Sequence, residues 1–397
     1  MNSDKVYISK TGIMCSLGIN SAAVSENLAT KAPLTEVKDY KFHQFDSPLS
    51  VYKVQDFDPV EILGKKGLRN KDYATKLLLS TMESSIKDIM DEEKEHNRPG
   101  LCIGTAFGSV QSIGDFLSDS IENGVNNVNP QEFANTVINA PTGQGNIRYG
   151  VRNLSTTIST GFNSGLDSLI YSKDFISCQY LDRLIAGGLE EISYYELLGF
   201  IRSGIISKTS SAKPFGANAD GVIPGEGCAV FLLENEKEAL SDGKKPLVQI
   251  IGTASGFDPD IYSNSSDNSV GADVILKALS DAKITADQLD FIASSGSGNP
   301  LSDRFESAAI SSVFKKETPV TAYKHSLGEC YGASGSLITA CAIYDMKKGT
   351  ISGIDEEYET VNEINLVRGT VKKNSRYVLV TSFSCEGNCS AIVLENI

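Results

Sequence analysis

The sequence predicts an α/β protein, and three observations support this fold class. Short β-rich runs alternate with helical segments along the whole chain. The helical segments carry apolar residues at a spacing of about 3.6. Two portions open alike, with a strand that ends in a Gly/Ser-rich turn, at VYISKTGIMCSLG (6–18) and VQIIGTASGFDPD (248–260). We therefore expect two pseudo-repeated halves, 1–240 and 246–397, with a polar loop at 236–245 between them.

The individual elements follow from local patterns. Strands are expected in β-branched and aromatic runs, which in chain order are KVYISKTGI (5–13), LCIGTAF (101–107), LDRLIAGGLE (181–190), CAVFLLEN (228–235), PLVQIIGTASG (246–256), LDFIASSG (289–296), TPVTAYK (318–324), YVLVTSF (377–383) and SAIVLEN (390–396). Helices are expected where the apolar spacing is helical, over 73–91, 163–173, 270–282, 302–314 and 334–348. Each half should end with a pair of strands.

The composition is that of a globular protein with an excess of acidic residues. Among 397 residues, 50 acidic and 36 basic side chains give a net charge of −14, which argues against a general binder of nucleic acids or anionic membranes. No apolar run approaches the roughly 20 residues of a membrane-spanning helix. The segment MNSDKVYISK (1–10) lacks the basic start and apolar core of a signal peptide. We therefore expect a cytoplasmic protein with no nucleic-acid or membrane partner.

Cysteines and histidines offer little for a metal site. The eight cysteines are scattered without C-x-x-C spacing, and Cys385 and Cys389 have no nearby histidine or second cysteine pair. Most cysteines should be small buried apolar residues, and we expect no metal. His43, His96 and His325 are the three histidines of the chain, so histidine catalysis has few candidates.

One short segment is locally basic. GKKGLRNKD (64–72) places Lys65, Lys66, Arg69 and Lys71 close together. Two interpretations stay open: a solvated helix start, or a docking point for an acidic partner.

TTISTGFNSGLDSLIYS (156–172) has the pattern of a strand end, a tight turn and a helix start. Such an elbow commonly holds a nucleophile, because a helix N-terminus lowers a thiol pKa and supplies backbone N–H donors. The residue at the elbow is Phe162, whose side chain has no nucleophilic atom. The pattern is that of a nucleophile's mounting, but the nucleophile is absent.

Four further motifs follow the elbow: PFGANADGVIPGEGCAVFLLE (214–234), SSGSGNPLSDRFE (294–306), YKHSLGECYGASG (323–335) and SFSCEGNCSAIVLEN (382–396). The order and spacing of the five motifs resemble the β-ketoacyl-acyl carrier protein synthases, the condensing enzymes of fatty acid and type II polyketide synthesis. The resemblance covers essentially the whole chain. It implies the thiolase fold, five layers αβαβα built from two similar halves, and a homo- or heterodimer.

The resemblance also implies where catalytic residues would lie. In the family a cysteine takes the acyl chain from the phosphopantetheine thiol of an acyl carrier protein, and two histidines assist decarboxylation and stabilise the oxyanion. Those three positions hold Phe162, Ser295 and Glu329 in this chain. The family's gating phenylalanine corresponds to Cys385. We therefore expect no catalytic residue at these positions and no cofactor, with the carrier's phosphopantetheine arm serving as substrate carrier.

Much of the family scaffold is retained. The retained residues are Gly165, Asp220, Gly225, Glu226, Gly227, Asp303, Glu306, Lys324, Gly328, Gly332 and Gly335. The resemblance suggests that Glu306 and Lys324 form a buried pair bracing two motif loops. The alternative is an unrelated surface acid and base.

One group within the family lacks the cysteine: the chain-length factors, or β subunits, of type II polyketide synthases, including polyene and aryl polyene systems. This chain resembles such a subunit, although many of them carry glutamine where Phe162 stands. The resemblance implies a heterodimer with an active ketosynthase α subunit, formed around residues 143–160. Bulky residues of 129–143 would set the tunnel end, and Lys65, Lys66 and Arg69 would assist carrier docking. Phe162 would either fill an unused pocket or act as a plug or tunnel wall.

Two other functions stay open. The chain could be a stand-alone thiolase-fold acyltransferase or hydrolase that uses Cys330 or Cys385. Against this, neither family histidine is present to activate a thiol, and Glu329 would raise the pKa of a neighbouring thiol. The chain could also be a homodimeric pseudoenzyme that holds acyl carrier proteins without chemistry.

Overall fold

The computed structural model describes residues 5–37, 49–92, 98–263, 269–361 and 364–397, so His43 and His96 lie outside the described residues. The strands are β1 (Val6–Cys15), β2 (Thr35–Glu36), β3 (Ser50–Val51), β4 (Gly100–Gly104), β5 (Ser155–Ile158), β6 (Arg183–Glu190), β7 (Gly227–Asn235), β8 (Val248–Phe257), β9 (Phe291–Ala293), β10 (Pro319–Thr321), β11 (Thr350–Ser352), β12 (Asn365–Leu366), β13 (Thr370–Lys372), β14 (Tyr377–Phe383) and β15 (Asn388–Asn396). The helices are α1 (Ser21–Asn27), α2 (Pro59–Leu63), α3 (Tyr73–Glu92), α4 (Val110–Asn123), α5 (Ala140–Tyr149), α6 (Ser164–Ser177), α7 (Tyr194–Ser203), α8 (Glu236–Ala239), α9 (Ser269–Asp281), α10 (Pro300–Val313), α11 (Lys324–Leu327) and α12 (Ser334–Lys348).

The two halves repeat one strand order. In the first half the order is β1-β7-β6-β4-β5, and in the second it is β8-β15-β14-β9-β10, with β12 added at the edge. In each half the first three strands pair antiparallel and the last three pair parallel. β1 and β8 pair antiparallel through residues 6–8 and 248–250, which joins the halves into one sheet. The predicted pseudo-repeat is confirmed.

Strand alternation distributes apolar side chains between two layers of helices. In β7, Ala229 and Phe231 belong to the central core, whereas Val230 and Leu232 pack toward α3 on the outer face. In β14, Val378 belongs to the central core and the neighbouring Leu379 to the outer core of the second half. Both faces of the central strands are therefore covered.

The helices complete five layers. α6 and α12 pack against each other and against strands of both halves, so they form the middle layer. In α12, 13 of 15 residues are buried, as expected for a helix enclosed in the middle layer. α3 and α5 cover the first half, and α9 and α10 cover the second. The αβαβα thiolase arrangement is confirmed.

The predicted strands and five helices form with shifts of a few residues at their ends. The helices α4, α5 and α7 were not predicted. α5 begins with Ala-Pro and contains two glycines, so it lacks the usual helical pattern. α4 does have apolar residues at helical spacing, Val110, Ile113, Leu117 and Ile121, which the prediction missed. Among the described helices, none is long and apolar enough to cross a membrane.

Candidate functional site

The elbow forms as the sequence predicts. β5 ends at Ile158, a 3-10 turn covers Gly161–Asn163, and α6 follows at once. Gly161 has φ +69°, in the left-handed region that favours glycine. At Gly165 the first turn of α6 comes so close to the loop at 331–333 that a Cβ would lie 2.6 Å from the carbonyl oxygen of Gly332. Glycine is therefore required at Gly165 for packing.

Four aromatic rings fill the space around the elbow. Phe162 is 8% exposed, and its ring contacts those of Phe107, Phe200 and Tyr331 at centroid distances of 6.3, 5.9 and 5.0 Å. Phe107 contacts Phe200 and Tyr331 at 5.6 and 5.8 Å, and Phe200 stacks on Tyr331 at 4.5 Å. All six pairs of these rings are thus in contact, mostly edge to face, which is a favourable aromatic geometry. We call Phe107, Phe162, Phe200 and Tyr331 the four-ring cluster.

Tyr331 supports the cluster from the turn before α12. It is fully buried in this 3-10 turn and has φ +43°, an unusual value for a residue other than glycine. Its hydroxyl has no hydrogen-bond partner among the described residues. Burial raises the pKa of this hydroxyl well above its usual value, and nearby Glu196 adds to the effect. Tyr331 therefore acts as a packing ring.

Ser295 lies where the resemblance places the first histidine of the family, and it forms only internal hydrogen bonds. Its hydroxyl donates to Glu306 Oε2 at 2.9 Å and accepts the N–H of Phe383 at 2.8 Å. The Ser295 N–H donates to Glu306 Oε1 at 3.0 Å, and the Thr381 hydroxyl donates to the same oxygen. Burial raises the pKa of Glu306, an effect that these hydrogen bonds oppose. This network ties the 294–306 motif to β14.

Asp303, from the same motif, accepts three backbone N–H groups. They belong to Phe215, Ser297 and Gly298, at 2.6, 2.9 and 2.8 Å. Burial raises the pKa of Asp303 to about 7. The carboxyl group thus holds the loop before α10 against the 214–234 motif.

The structure corrects the predicted Glu306–Lys324 pair. Both residues are buried, but Lys324 Nζ bonds Glu329 Oε2 at 2.7 Å, and Glu306 is held by Ser295 and Thr381. Lys324 acts on Glu306 only at longer range, by lowering its pKa. The physical reason is that Glu329 introduces a buried carboxylate, and a buried charge needs an opposite charge close by.

Glu329 has both carboxylate oxygens engaged within the protein. Besides the bond to Lys324, its Oε1 accepts the N–H of Tyr331 at 3.0 Å and the hydroxyl of Ser334 at 2.7 Å. Its side chain is 5% exposed. Where the resemblance places the second histidine of the family, the chain therefore has a carboxylate whose oxygens already accept internal hydrogen bonds, in place of a hydrogen-bond donor.

The relocated-cysteine hypothesis meets unfavourable surroundings at both thiols. Burial raises the pKa of Cys330 well above its usual value, and burial with nearby Glu329 and Glu386 raises the pKa of Cys385 to about 12. His325 is the only histidine in the described parts of the chain, and its Nδ1 lies 2.9 Å from the carbonyl oxygen of Ala322. Both thiols are therefore held protonated near neutral pH.

A small cavity remains beside the elbow. Its volume is about 10 Å³, and its lining includes Phe162, Asn299, Ser302, Lys324, Glu329 and Cys385. The structure thus brings together three of the four positions named from the sequence, while Ser295 is bonded to Phe383 in the adjoining wall. The sequence did not indicate Phe107, Phe200 or Glu386. Their roles depend on contacts with Phe162 across long stretches of chain, for which no local pattern exists.

The basic segment lies on the surface. Lys65, Lys66 and Arg69 are exposed between α2 and α3. Lys71 instead bonds Gln144, and burial lowers its pKa. Three of the four basic side chains are therefore accessible to a partner.

Comparisons with known proteins agree with the motifs. The families described as Beta-ketoacyl synthase, N-terminal domain, and Beta-ketoacyl synthase, C-terminal domain, match residues 11–239 and 248–354. A 3-oxoacyl-[acyl-carrier-protein] synthase 2 of Vibrio harveyi is 28% identical over 363 residues, covering 87% of each chain.

Solved structures share the fold at low identity. The ishigamide ketosynthase/chain length factor superposes with a TM-score of 0.90 at 22% identity, covering 100% of both chains. A ketosynthase in complex with its chain length factor from Xenorhabdus doucetiae superposes with a TM-score of 0.84 at 19% identity. It covers 99% of this chain and 98% of the other.

Proposed function

Since the chain belongs to the β-ketoacyl synthase family, we propose that it is a non-catalytic, cytoplasmic chain-length factor. It would form a heterodimer with an active ketosynthase and shape the tunnel in which a polyketide or polyene grows on an acyl carrier protein. The partner would supply the cysteine and both histidines. We also propose that the halves divide within the polar loop at 236–245.

The four-ring cluster is the observation that carries this proposal. A condensing site needs a nucleophile at the elbow and room for an acyl chain beside it. Here a phenyl ring replaces the thiol, and three more rings occupy its surroundings. Ser295 and Glu329, bonded within the protein, offer no free donor to a developing enolate.

An exposed apolar surface is evidence for the proposed partner subunit. Ile121, Val125, Phe133 and Ile147 are 82, 74, 60 and 75% exposed. They lie on or beside α4, the turn Phe133–Asn135 and α5, which contact one another through that turn. We call these four residues the α4–α5 flank. Clustered exposed apolar residues are typical of protein interfaces.

The α4–α5 flank continues into an unpaired sheet edge. α5 packs on β5, which pairs only with β4 in the described sheet. The carbonyls of Leu154 and Ile158 accept N–H groups from the β4 side, so the backbone groups of Ser155 and Thr157 point away from it. Such an edge is suited to pairing with a strand of another subunit, as proposed for residues 143–160.

Co-expression with a ketosynthase that carries an intact cysteine tests the proposal. We expect a one-to-one heterodimer, with acyl groups from acyl carrier protein found by mass spectrometry on the partner alone. An acyl adduct on Cys330 or Cys385 would instead support the stand-alone enzyme. A homodimer that ignores the ketosynthase but binds acyl carrier protein would support the carrier-holding pseudoenzyme.

The tunnel role predicts a change in product length. Phe133 belongs to the predicted tunnel segment 129–143, and its ring packs against Phe116 at 6.0 Å. We expect Phe133→Ala, in complex with the active partner, to lengthen the product by at least one two-carbon unit, read by mass spectrometry. Leu240→Ala removes a comparably exposed side chain in the loop between the halves and should leave the length unchanged. Identical products from both variants would contradict the tunnel role.

A further inference from the structure

A carboxylate of this chain already occupies the backbone donor at the elbow. The N–H of Phe162 donates to Glu386 Oε2 at 2.9 Å. Glu386 lies in the turn between β14 and β15, 224 residues away, beside Gly387 with φ +95°. Glu386 itself is a surface residue, but this hydrogen bond brings its carboxylate onto a buried turn.

The contact between Glu386 and the Phe162 N–H requires glycine at position 161. A Cβ added at Gly161 would lie 2.0 Å from the same Oε2 atom and 2.7 Å from the carboxyl carbon. These distances are far below van der Waals contact, so the carboxylate is seated on the bare backbone of Gly161. Gly161 also has a positive φ, which holds the Phe162 N–H in its orientation. The turn therefore leaves space for the Glu386 carboxylate that a side chain at position 161 would fill.

The chemistry of this donor gives the contact its meaning. In acyl transfer, backbone N–H groups at the nucleophile stabilise the oxyanion that develops from the thioester carbonyl. A donor that is already bonded to an anion cannot serve a carbonyl oxygen without first releasing it. A neighbouring carboxylate also disfavours a thiolate by charge repulsion.

We infer that Glu386 blocks the elbow of this subunit: its carboxylate accepts the Phe162 N–H and so prevents an acyl thioester from using that donor. The contact is thus autoinhibitory, and it would exclude carrier-bound thioesters even from a chain that regained the cysteine. The inference deepens the proposed function and rests on it only in taking the elbow to be unused. It concerns Glu386, a residue outside the three altered catalytic positions.

The charges around Phe162 are consistent with this role. Glu386 and Glu329 both raise the pKa of the Cys385 thiol, so both carboxylates act on the same small cavity. Burial raises the pKa of Glu386 itself, and the hydrogen bond from Phe162 opposes that increase. Lys324, the cation of the cavity lining, is bonded to Glu329. Glu386 therefore has the backbone N–H as its principal compensation at the elbow.

A thiol installed at the elbow tests the inference. In Phe162→Cys, the alkylation rate by iodoacetamide at fixed pH is measured by mass spectrometry of the peptide containing residue 162, under reducing conditions. We expect Glu386→Ala in that background to raise the alkylation rate about 10-fold. Removing the carboxylate should lower the pKa of the installed thiol by about one pH unit, which increases the thiolate fraction about 10-fold. Glu386→Gln should give a smaller increase, since its amide oxygen still accepts the N–H. Rates within twofold of the parent for both variants would overturn the inference.

Glu357→Ala is the matched control, because it removes an exposed acid outside the cavity lining and should not change the rate. The readout needs no ketosynthase, so it remains valid whether or not a heterodimer forms. Conversely, failure to co-purify with a ketosynthase would refute the proposed partner but would not bear on the Phe162–Glu386 contact.

A second measurement keeps Phe162 in place, in case the cysteine variant does not fold. The chain contains 16 phenylalanines, so selective ¹⁵N-phenylalanine labelling gives few amide signals. The Phe162 signal is assigned by its loss in Phe162→Leu. Because burial raises the pKa of Glu386, we expect the signal to shift as Glu386 protonates when the pH is lowered, and to lose that titration in Glu386→Gln. An unchanged titration in Glu386→Gln would overturn the inference.

Discussion

Replacing Lys324 by methionine is expected to lower the free energy of unfolding by about 3–5 kcal/mol. The side chains of Lys324 and Glu329 are each only 5% exposed, and their ion pair spans 2.7 Å. Removing the ammonium leaves a buried carboxylate with only the Tyr331 N–H and the Ser334 hydroxyl as donors among the described residues. Denaturant unfolding of the purified protein measures the loss.

The double variant Lys324→Met/Glu329→Gln separates charge from packing. It removes both charges and keeps an acceptor for Tyr331, so we expect it to recover most of the lost stability. Lys5→Met breaks an exposed ion pair with Glu236 and should leave the unfolding midpoint unchanged. A loss equal to that of Lys5→Met would contradict this account.

Replacing Ile121 by glutamate is expected to weaken the proposed heterodimer by about 100-fold in dissociation constant, or about 2.7 kcal/mol. Ile121 is 82% exposed in this chain, so the substitution should not disturb the fold. In a heterodimer formed through the α4–α5 flank, the new carboxylate would be buried without a partner, which is costly. Analytical ultracentrifugation of the purified complex measures the change.

Val371→Glu is the matched control for the interface. Val371 is a 44% exposed apolar residue on β13, in the two-stranded sheet that β13 forms with β11 in the second half. It should neither dissociate the complex nor change the melting temperature of the chain. A complex equally tolerant of Ile121→Glu and Val371→Glu would show that the partner binds elsewhere.

Under the proposed function, the site residues indicate how a condensing fold can lose its chemistry and stay stable. Each altered position is engaged within the protein: Phe162 in the four-ring cluster, Ser295 with Glu306, and Glu329 with Lys324. None leaves its polar groups free at the elbow. Under the same proposal, restoring catalysis would require removing these contacts as well as supplying a thiol.

Nine of the strands, five of the helices and the residues at the altered positions could be predicted from the amino-acid sequence. They depend on local properties: the two-residue alternation of strands, the helical spacing of apolar residues, and the identity of side chains at motif positions. Phe162 at the strand–turn–helix elbow is apparent from the chain alone, and the resemblance to the β-ketoacyl synthases singles out Ser295, Glu329 and Cys385. The helix α5 is not apparent from the chain alone, because its apolar residues are too few.

Which groups meet at the site depends on the tertiary structure. Lys324 was predicted to pair with Glu306 and pairs with Glu329 instead, because the loop before α12 brings Glu329 to its ammonium group. The Phe162–Glu386 contact joins residues 224 positions apart. The Phe162–Glu386 contact follows from the packing of the two halves around α6 and α12. Distances across a folded core are set by all the layers together and have no counterpart in local spacing.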